Sequence, residues 1–149
     1  MAILIDTSVL GRLANRADPS HAIAASAVAE LHRRGEVLHI TPQNLIEFRN
    51  FATRPVSANG LGLGSSAAEG LASTFEAAFP LLAETADIYP AWKIIVGAIG
   101  VIGKQVHDAR LVAVCHVNSV THLLTFNVQH FVRMASVGPG VVVVDPATV

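Results

Sequence analysis

Short apolar segments alternate with longer amphipathic segments along the chain. The apolar segments that predict strands cover residues 2–5, 37–40, 121–125 and 141–144, and residues 81–83 predict a further short strand. Between them, apolar residues recur at the spacing of one helix face. This alternation predicts an α/β fold in which helices cover both faces of a central, mainly parallel sheet.

Capping signals set the expected bounds of several helices. Asp18-Pro19 predicts the start of a helix that runs to about residue 34, and Thr41-Pro42 predicts a helix that ends near residue 54. Ser66 and Glu69 form a capping-box pattern at the start of another helix. Further helical segments are expected at residues 9–15, 85–100, 105–117 and 127–133.

The composition is that of a globular chain with little net charge. At 149 residues the chain is long enough for one domain, spanning residues 1–149, with a substantial core. Apolar residues make up 52% and charged residues 14%, which excludes disorder and predicts extensive burial or a partner surface. The formal net charge is −1, so any contact with nucleic acid must come from local arginines.

Cysteine usage and hydropathy predict the compartment. The single cysteine, Cys115, excludes an intrachain disulfide and fits a reducing cytoplasm. Residues 2–5 are too few for a signal peptide. The most apolar stretch, residues 94–103, is far shorter than the roughly 20 residues that a membrane span needs. We therefore expect a soluble, cytoplasmic protein without a membrane partner.

Three widely spaced acids carry the predicted chemistry. Asp6 directly follows the first predicted strand, where a parallel sheet places its ligands. Glu47 and Asp108 lie in apolar helical segments, where an unpaired charge is costly. Carboxylates that converge repel one another, and a divalent cation relieves that repulsion. The three acids therefore predict one metal site.

Each acid also has a structural explanation when it is considered alone. Asp6 is placed to cap a helix, and Asp108 lies near a helix N-terminus, whose dipole favours an anion. Glu47 is within reach of Arg49 or Arg54 on its own helix. These alternatives stay open for the single residues, whereas the joint pattern of the three acids favours a common site.

Four phrases of the chain resemble, in order, the successive motifs of PIN-domain proteins. They are Leu4-Ile5-Asp6-Thr7-Ser8-Val9-Leu10, Leu45-Ile46-Glu47-Phe48, His107-Asp108-Ala109-Arg110-Leu111-Val112-Ala113 and Leu123-Leu124-Thr125-Phe126-Asn127-Val128-Gln129-His130-Phe131. Within that family the chain most resembles VapC-type toxins, the ribonuclease components of bacterial toxin–antitoxin pairs. The resemblance extends from residue 2 to residue 144 and implies a three-layer α/β/α fold with a mainly parallel sheet.

The resemblance also implies an activity, a cofactor and partners. It implies an endoribonuclease that uses Mg²⁺, or Mn²⁺, to hydrolyse phosphodiesters in RNA. The implied metal ligands are Asp6, Glu47 and Asp108, and the hydroxyl of Thr7 or Thr125 would orient a carboxylate or a water molecule. A protein antitoxin is the implied inhibitor, and a homodimer is the expected assembly. The chemistry is consistent, because hard divalent cations prefer oxygen ligands.

The chain departs from the family pattern in its last motif. Asn127 occupies the fourth catalytic position, where the family commonly has an aspartate, and His130 stands where a second acid is often seen. An amide oxygen can ligate a cation or position water, but it adds no negative charge, so weaker metal binding is expected. The departure keeps open a second hypothesis, a PIN-fold protein with weak or lost catalysis that binds RNA or protein.

Nearby basic residues supply candidate contacts to the substrate. Arg12, Arg49 and Arg110 are the expected phosphate contacts, and for each of them a paired or solvated structural role is an equally strong alternative. His107 and His130 are expected near the acidic pocket.

A different α/β fold is the remaining alternative. Receiver-like and other phosphoryl-transfer domains also cluster acids at strand ends. A receiver domain has paired acids after its first strand and a lysine after a late strand, and this chain has neither. The glycine-rich segment 56–65 follows no strand, so it predicts a mobile surface loop and not a nucleotide-binding loop.

Overall fold

Four short strands form the centre of the fold. The computed structural model describes residues 1–149. Its strands are β1 (Ala2–Ile5), β2 (Val37–His39), β3 (His122–Leu124) and β4 (Val142–Val144). They pair in the order β2-β1-β3-β4, and every pairing is parallel. The predicted mainly parallel sheet is confirmed, and β1 lies inside it with a neighbour on each side.

Seven helices connect and cover the strands. They are α1 (Thr7–Ala14), α2 (His21–Arg33), α3 (Pro42–Thr53), α4 (Ser65–Ala78), α5 (Ile88–Ile99), α6 (Gln105–Val117) and α7 (Val128–Ala135). Two 3₁₀ turns, Val56–Ala58 and Pro146–Thr148, complete the chain. None of the helices has the combination of length and apolar character needed to cross a bilayer.

The sheet separates two apolar cores, which gives the predicted three layers. Successive side chains of a strand point to opposite faces. In β1, Ile3 and Ile5 accordingly pack into a core with residues of α1 to α4. Leu4 packs into the other core, with residues of α5, α6 and α7. A buried strand with apolar residues on both faces reads as a continuous apolar run, which is why residues 2–5 could be identified as a strand.

Two predicted helix starts are wrong. Helix α2 begins at His21, because the Asp18 carboxylate accepts a hydrogen bond from the Ser20 backbone N–H in the turn before the helix. Helix α4 is preceded by Gly64, which makes no side-chain cap, and the Glu69 side chain pairs with Arg49 instead of reaching back to the helix start. In both places the predicted capping side chain binds another group: Asp18 accepts from the Ser20 N–H, and Glu69 pairs with Arg49.

The predicted strand at residues 81–83 is also wrong. Only one isolated bridge forms there, between Ile40 and Leu81. The segment thus extends the edge of the sheet beside β2 by a single residue pair.

The glycine-rich segment folds back against the end of α3. The backbone N–H groups of residues 61, 62 and 63 donate to the carbonyl oxygens of Phe51, Arg54 and Ala52 at 3.1, 2.8 and 2.9 Å. A Cβ atom at Gly60 would lie 2.0 Å from the carbonyl oxygen of Arg54, so this approach requires glycine. The segment therefore satisfies carbonyl groups at the C-terminus of α3 and fixes the main chain at Arg54.

Candidate active site

Asp6 lies at the junction of β1 and α1, where it caps the helix and stays almost fully buried. Its side-chain oxygen Oδ2 accepts hydrogen bonds from the Ser8 hydroxyl at 2.6 Å and the Thr125 hydroxyl at 2.7 Å, and a longer one from the Ser8 backbone N–H at 3.4 Å. Thr125 directly follows β3, the neighbour of β1 in the sheet. All three bonds converge on one oxygen, so they orient the carboxylate and leave Oδ1 available to a ligand.

Glu47 is held in a second set of hydrogen bonds. Its Oε2 accepts from the Thr7 hydroxyl and its Oε1 from the Gln43 amide, each at 2.7 Å. The Asn44 amide in turn donates to the Thr7 hydroxyl at 3.1 Å. Asn44 also forms the buried capping box with Thr41 that begins α3. Glu47 pairs with neither Arg49 nor Arg54, so the alternative of an ion pair within its own helix is wrong.

Asp108 lies in the first turn of α6 with about a quarter of its side chain exposed (27%). Burial is the main cause that raises its pKa to about 6, and the negative charges of Asp6 and Glu47 raise the pKa further. His130 opposes this effect, with its Nδ1 at 3.5 Å from Asp108 Oδ2. Asp6 and Glu47 therefore lie close enough to Asp108 for their charges to raise its pKa.

These acids line one solvent-open cavity of about 390 Å³. Its walls come from α1, α3 and α6, from residues that flank them, and from the N-cap of α7: Asp6, Thr7, Ser8, Gly11, Arg12, Asp18, Glu47, Asn50, Phe51, Arg54, Asp108 and Asn127. Asn127 thus lines the same cavity as the three acids. No three acidic, histidine or cysteine side chains converge closely enough to enclose an ion by themselves. The carboxylates therefore share the cavity without meeting at one point.

The donor set fits a hydrated divalent cation. Every acid in the cavity offers oxygen, the free Oδ1 of Asp6 is one such donor, and Asn127 adds an amide. Mg²⁺ is commonly held by one or two carboxylates with water filling its remaining positions, so full convergence of three acids is not required. A cation would also relieve the repulsion that raises the pKa of Asp108.

The structure separates the candidate arginines into two groups. Arg49 pairs with Glu69, and Arg110 binds Glu84 with its Nη2 at 2.5 Å from Oε2. Neither of these two lines the acidic cavity, so the expectation that they contact phosphate there is not supported. The third candidate, Arg12, does line it, and so does Arg54, which was not a candidate from the sequence.

Several contributors to the site were not assigned a role from the sequence, among them Gln43, which donates to Glu47, and Asn44, which donates to Thr7. Ser8 supports Asp6, and its place in the Asp-Thr-Ser phrase was the available signal. Arg54 had no comparable signal, because it reaches the cavity only through the path of the chain after α3.

The raised pKa of Asp108 predicts how stability depends on pH when a chelator removes metal. Its pKa is higher in the folded chain than in the unfolded chain, so its contribution to stability is complete below about pH 4 and is lost as pH rises through about 6. Asp108→Asn should therefore raise the free energy of unfolding at pH 8 by about 1 kcal/mol, after allowance for partial exposure. Urea unfolding at pH 4 and pH 8 measures this; a less stable variant at pH 8 would contradict it.

Comparisons with known proteins agree with this fold. Residues 3–137 match the PIN domain family. VapBC2 from Rickettsia felis, solved with a DNA fragment from its promoter, is 15% identical with a TM-score of 0.69 and coverage of 97% of this chain and 98% of that one. VapBC-1 from nontypeable Haemophilus influenzae is 16% identical, with a TM-score of 0.66 and 98% coverage of both chains.

A third solved structure is a toxin described as cleaving the sarcin-ricin loop. This protein, VapC20 from Mycobacterium tuberculosis, is 22% identical with a TM-score of 0.62 and coverage of 81% of this chain and 86% of that one. No curated protein matches the sequence. Because the family match extends over most of its length, the chain belongs to the PIN-domain family.

Proposed function

We propose that this protein is a metal-dependent endoribonuclease and the toxin of a toxin–antitoxin pair. The observation that carries the proposal is one cavity lined by Asp6, Glu47, Asp108 and Asn127, which come from four distant parts of a PIN fold. Solved structures of similar fold include VapBC pairs and a toxin that cleaves the sarcin-ricin loop, which supports RNA as the substrate class and an antitoxin as the partner.

Some residues of the cavity would bind the metal ion, and others would hold those ligands in position. Asp6, Glu47 and Asp108 would hold Mg²⁺, or Mn²⁺. When bound, the cation would polarise a phosphoryl oxygen and lower the pKa of a water molecule that acts as the nucleophile. Ser8 and Thr125 keep the Asp6 carboxylate in place, and their hydrogen bonds pre-organise the site before any ligand arrives.

The remaining polar groups would position the reactants. Thr7 and Gln43 hold both oxygens of Glu47, which fixes the direction of its carboxylate. Asn127, at the N-terminus of α7, would offer its amide to the attacking water or to the cation. Its neutral side chain would make metal binding weaker than an aspartate would.

RNA cleavage by the purified protein tests this proposal. Cleavage should require Mg²⁺ or Mn²⁺ and stop in excess chelator. Cleavage that persists in the chelator would contradict the proposed chemistry. RNA binding without cleavage in either metal would instead favour the second candidate, a PIN-fold binding module, which Asn127 and His130 motivate.

The antitoxin would bind along an apolar groove that leads to the acids. A groove of about 320 Å³ lies beside Tyr89 and Trp92 and includes His107 and Arg110. The last two residues also border a neighbouring depression that reaches Glu47. An apolar antitoxin segment in this groove would thus be able to present a basic side chain to the carboxylates.

A homodimer is the proposed assembly, and exposed apolar side chains support it. Ile94 and Ile102 are 65% and 81% exposed at and beyond α5. Contact between two copies would bury such exposed apolar side chains. Light scattering at micromolar concentration should give a molar mass twice the 15.6 kDa of one chain. The Ile94→Lys variant should have the mass of a single chain. The control Val56→Lys, also on an exposed residue, should leave the dimer intact, and a monomeric parent would contradict the assembly.

A further inference from the structure

Two arginines in the acidic cavity have no anionic partner. Arg12 comes from α1 and Arg54 from the C-terminal cap of α3. The ion pairs of the structure use other cations: the N-terminus, Arg33, Arg34, Arg49, Arg110 and His130. Although carboxylates line the same cavity, neither Arg12 nor Arg54 forms an ion pair with any of them.

Both guanidinium groups are nevertheless held in position. Arg12 donates from Nη1 to the Ser8 carbonyl at 2.9 Å, and its guanidinium carbon lies 4.5 Å from the centre of the Phe126 ring. Arg54 lies 5.9 Å from the Phe51 ring centre, and its main chain is fixed by the glycine-rich segment. The Nε–H of each arginine is buried without an acceptor.

Unpaired arginines beside a cation site are unfavourable unless an anion binds there. Their positive charges weaken the attraction of the acids for a divalent cation. Their buried Nε–H donors also lack an acceptor, which destabilises the folded chain. A phosphodiester strand accounts for both groups, because its phosphates accept from guanidinium donors while the scissile phosphate approaches the acids.

We propose that Arg12 and Arg54 form a subsite for the backbone phosphates of an RNA strand that flank the scissile one. This inference rests on the proposed ribonuclease function. The subsite would position the strand without reading its bases, since phosphate contacts carry no sequence information. It would also supply the local positive charge that a chain of net charge −1 lacks as a whole.

Binding of RNA without metal tests the subsite separately from catalysis. The probe is a fluorescent single-stranded RNA oligonucleotide, titrated in chelator over a series of salt concentrations. Each phosphate neutralised on a single strand contributes about 0.7 to the slope of log affinity against log salt. Arg12→Gln and Arg54→Gln should each reduce the slope by about 0.7, and the double variant should reduce it by about 1.4. In each single variant the affinity at low salt should fall roughly tenfold, and by the same factor for several RNA sequences.

A matched variant controls for the loss of one positive charge. Arg33 is exposed and shares Glu30 with Arg34, so Arg33→Gln removes the same charge outside the cavity and should leave the slope unchanged. Thermal unfolding of every variant shows whether the fold is kept. Because Arg12 contacts Phe126, Arg12→Lys is a second test: it should keep the slope but bind RNA more weakly, since lysine lacks the guanidinium fork.

The outcomes separate this inference from the proposed function. If the parent binds and cuts RNA while both glutamine variants keep the parental slope and affinity, the subsite is wrong and the ribonuclease function stands. If the parent neither binds nor cuts RNA, the proposed function fails and the subsite fails with it. A reduced slope in Arg33→Gln equal to that in Arg54→Gln would also overturn the subsite, since it would reflect only the total charge.

Discussion

Asp6→Asn is expected to reduce RNA cleavage by at least about 100-fold. Loss of a residue that merely supports a metal ligand typically costs about 10–100-fold, and Asp6 is proposed as a ligand itself. The shape of the side chain is retained, and asparagine caps a helix as well as aspartate does, so α1 should keep its start. Cleavage of a labelled RNA in Mg²⁺ and in Mn²⁺, with equal amounts of folded protein, measures the effect.

The same variant should change the electrostatics of the cavity in a defined way. The charge of Asp6 is one cause of the raised pKa of Asp108, so its removal should bring the pKa of Asp108 down toward the ordinary range. Without metal, the variant should be as stable as the parent or slightly more stable, because less repulsion remains. An NMR titration of the carboxyl groups and urea unfolding in chelator provide these two measurements.

Asp145→Asn is the matched control for this experiment. Asp145 caps the final 3₁₀ turn by accepting from the Ala147 backbone N–H and does not line the acidic cavity. The control removes one carboxylate charge and should cleave RNA at the parental rate. Parental cleavage by Asp6→Asn would instead show that the proposed site is wrong.

The fold was predictable because its core pattern is simple. Continuous apolar runs are what a parallel sheet covered on both faces requires, and β1 satisfies this with residues in both cores. Helix α6 was predicted with the correct bounds, residues 105–117, and in the structure six of its apolar residues are buried. Errors arose where a polar side chain had two possible partners, as Asp18 and Glu69 did.

The sequence could indicate where the candidate site lies in the fold, but not which hydrogen bonds and ion pairs its residues form. Asp6 follows β1 and Thr125 follows β3, and these two strands are neighbours in the sheet. Because the ends of parallel strands lie at the same edge of a sheet, the hydrogen bond from Thr125 to Asp6 follows from the topology. Arg54 could not be found in this way, because a backbone contact with Gly60 decides where the chain goes after α3. The carboxylate partner of Arg110 likewise lies 26 positions away in sequence, which is beyond any local pattern.

Asn127→Asp is expected to increase the affinity for Mg²⁺ or Mn²⁺ roughly tenfold. Asn127 lines the cavity with Asp6 and Asp108, so the change adds a hard anionic ligand to the proposed site. One added charge about 4 Å from a divalent ion, at an effective dielectric constant of about 20, provides several kcal/mol of gross attraction. Desolvation and repulsion among the carboxylates cancel most of it and leave a net gain of about 1–2 kcal/mol.

The increase in metal affinity caused by Asn127→Asp should also depend on pH. A further carboxylate near Asp108 should raise the pKa of Asp108 above about 6, so protons compete with the cation over a wider range of pH. The increase in affinity should therefore be larger at pH 8 than at pH 6. Calorimetric titration of parent and variant at both values measures it.

Asn59→Asp serves as the control because Asn59 is exposed and lies outside the cavity, so it adds the same charge without adding a ligand. Equal affinities in parent and Asn127→Asp would show that residue 127 does not face the cation, and the binding-module function would then replace catalysis. Tighter metal binding without faster RNA cleavage would show that substrate positioning limits the reaction. The rate would then depend on Arg12 and Arg54, the residues proposed to hold the RNA strand beside the acids.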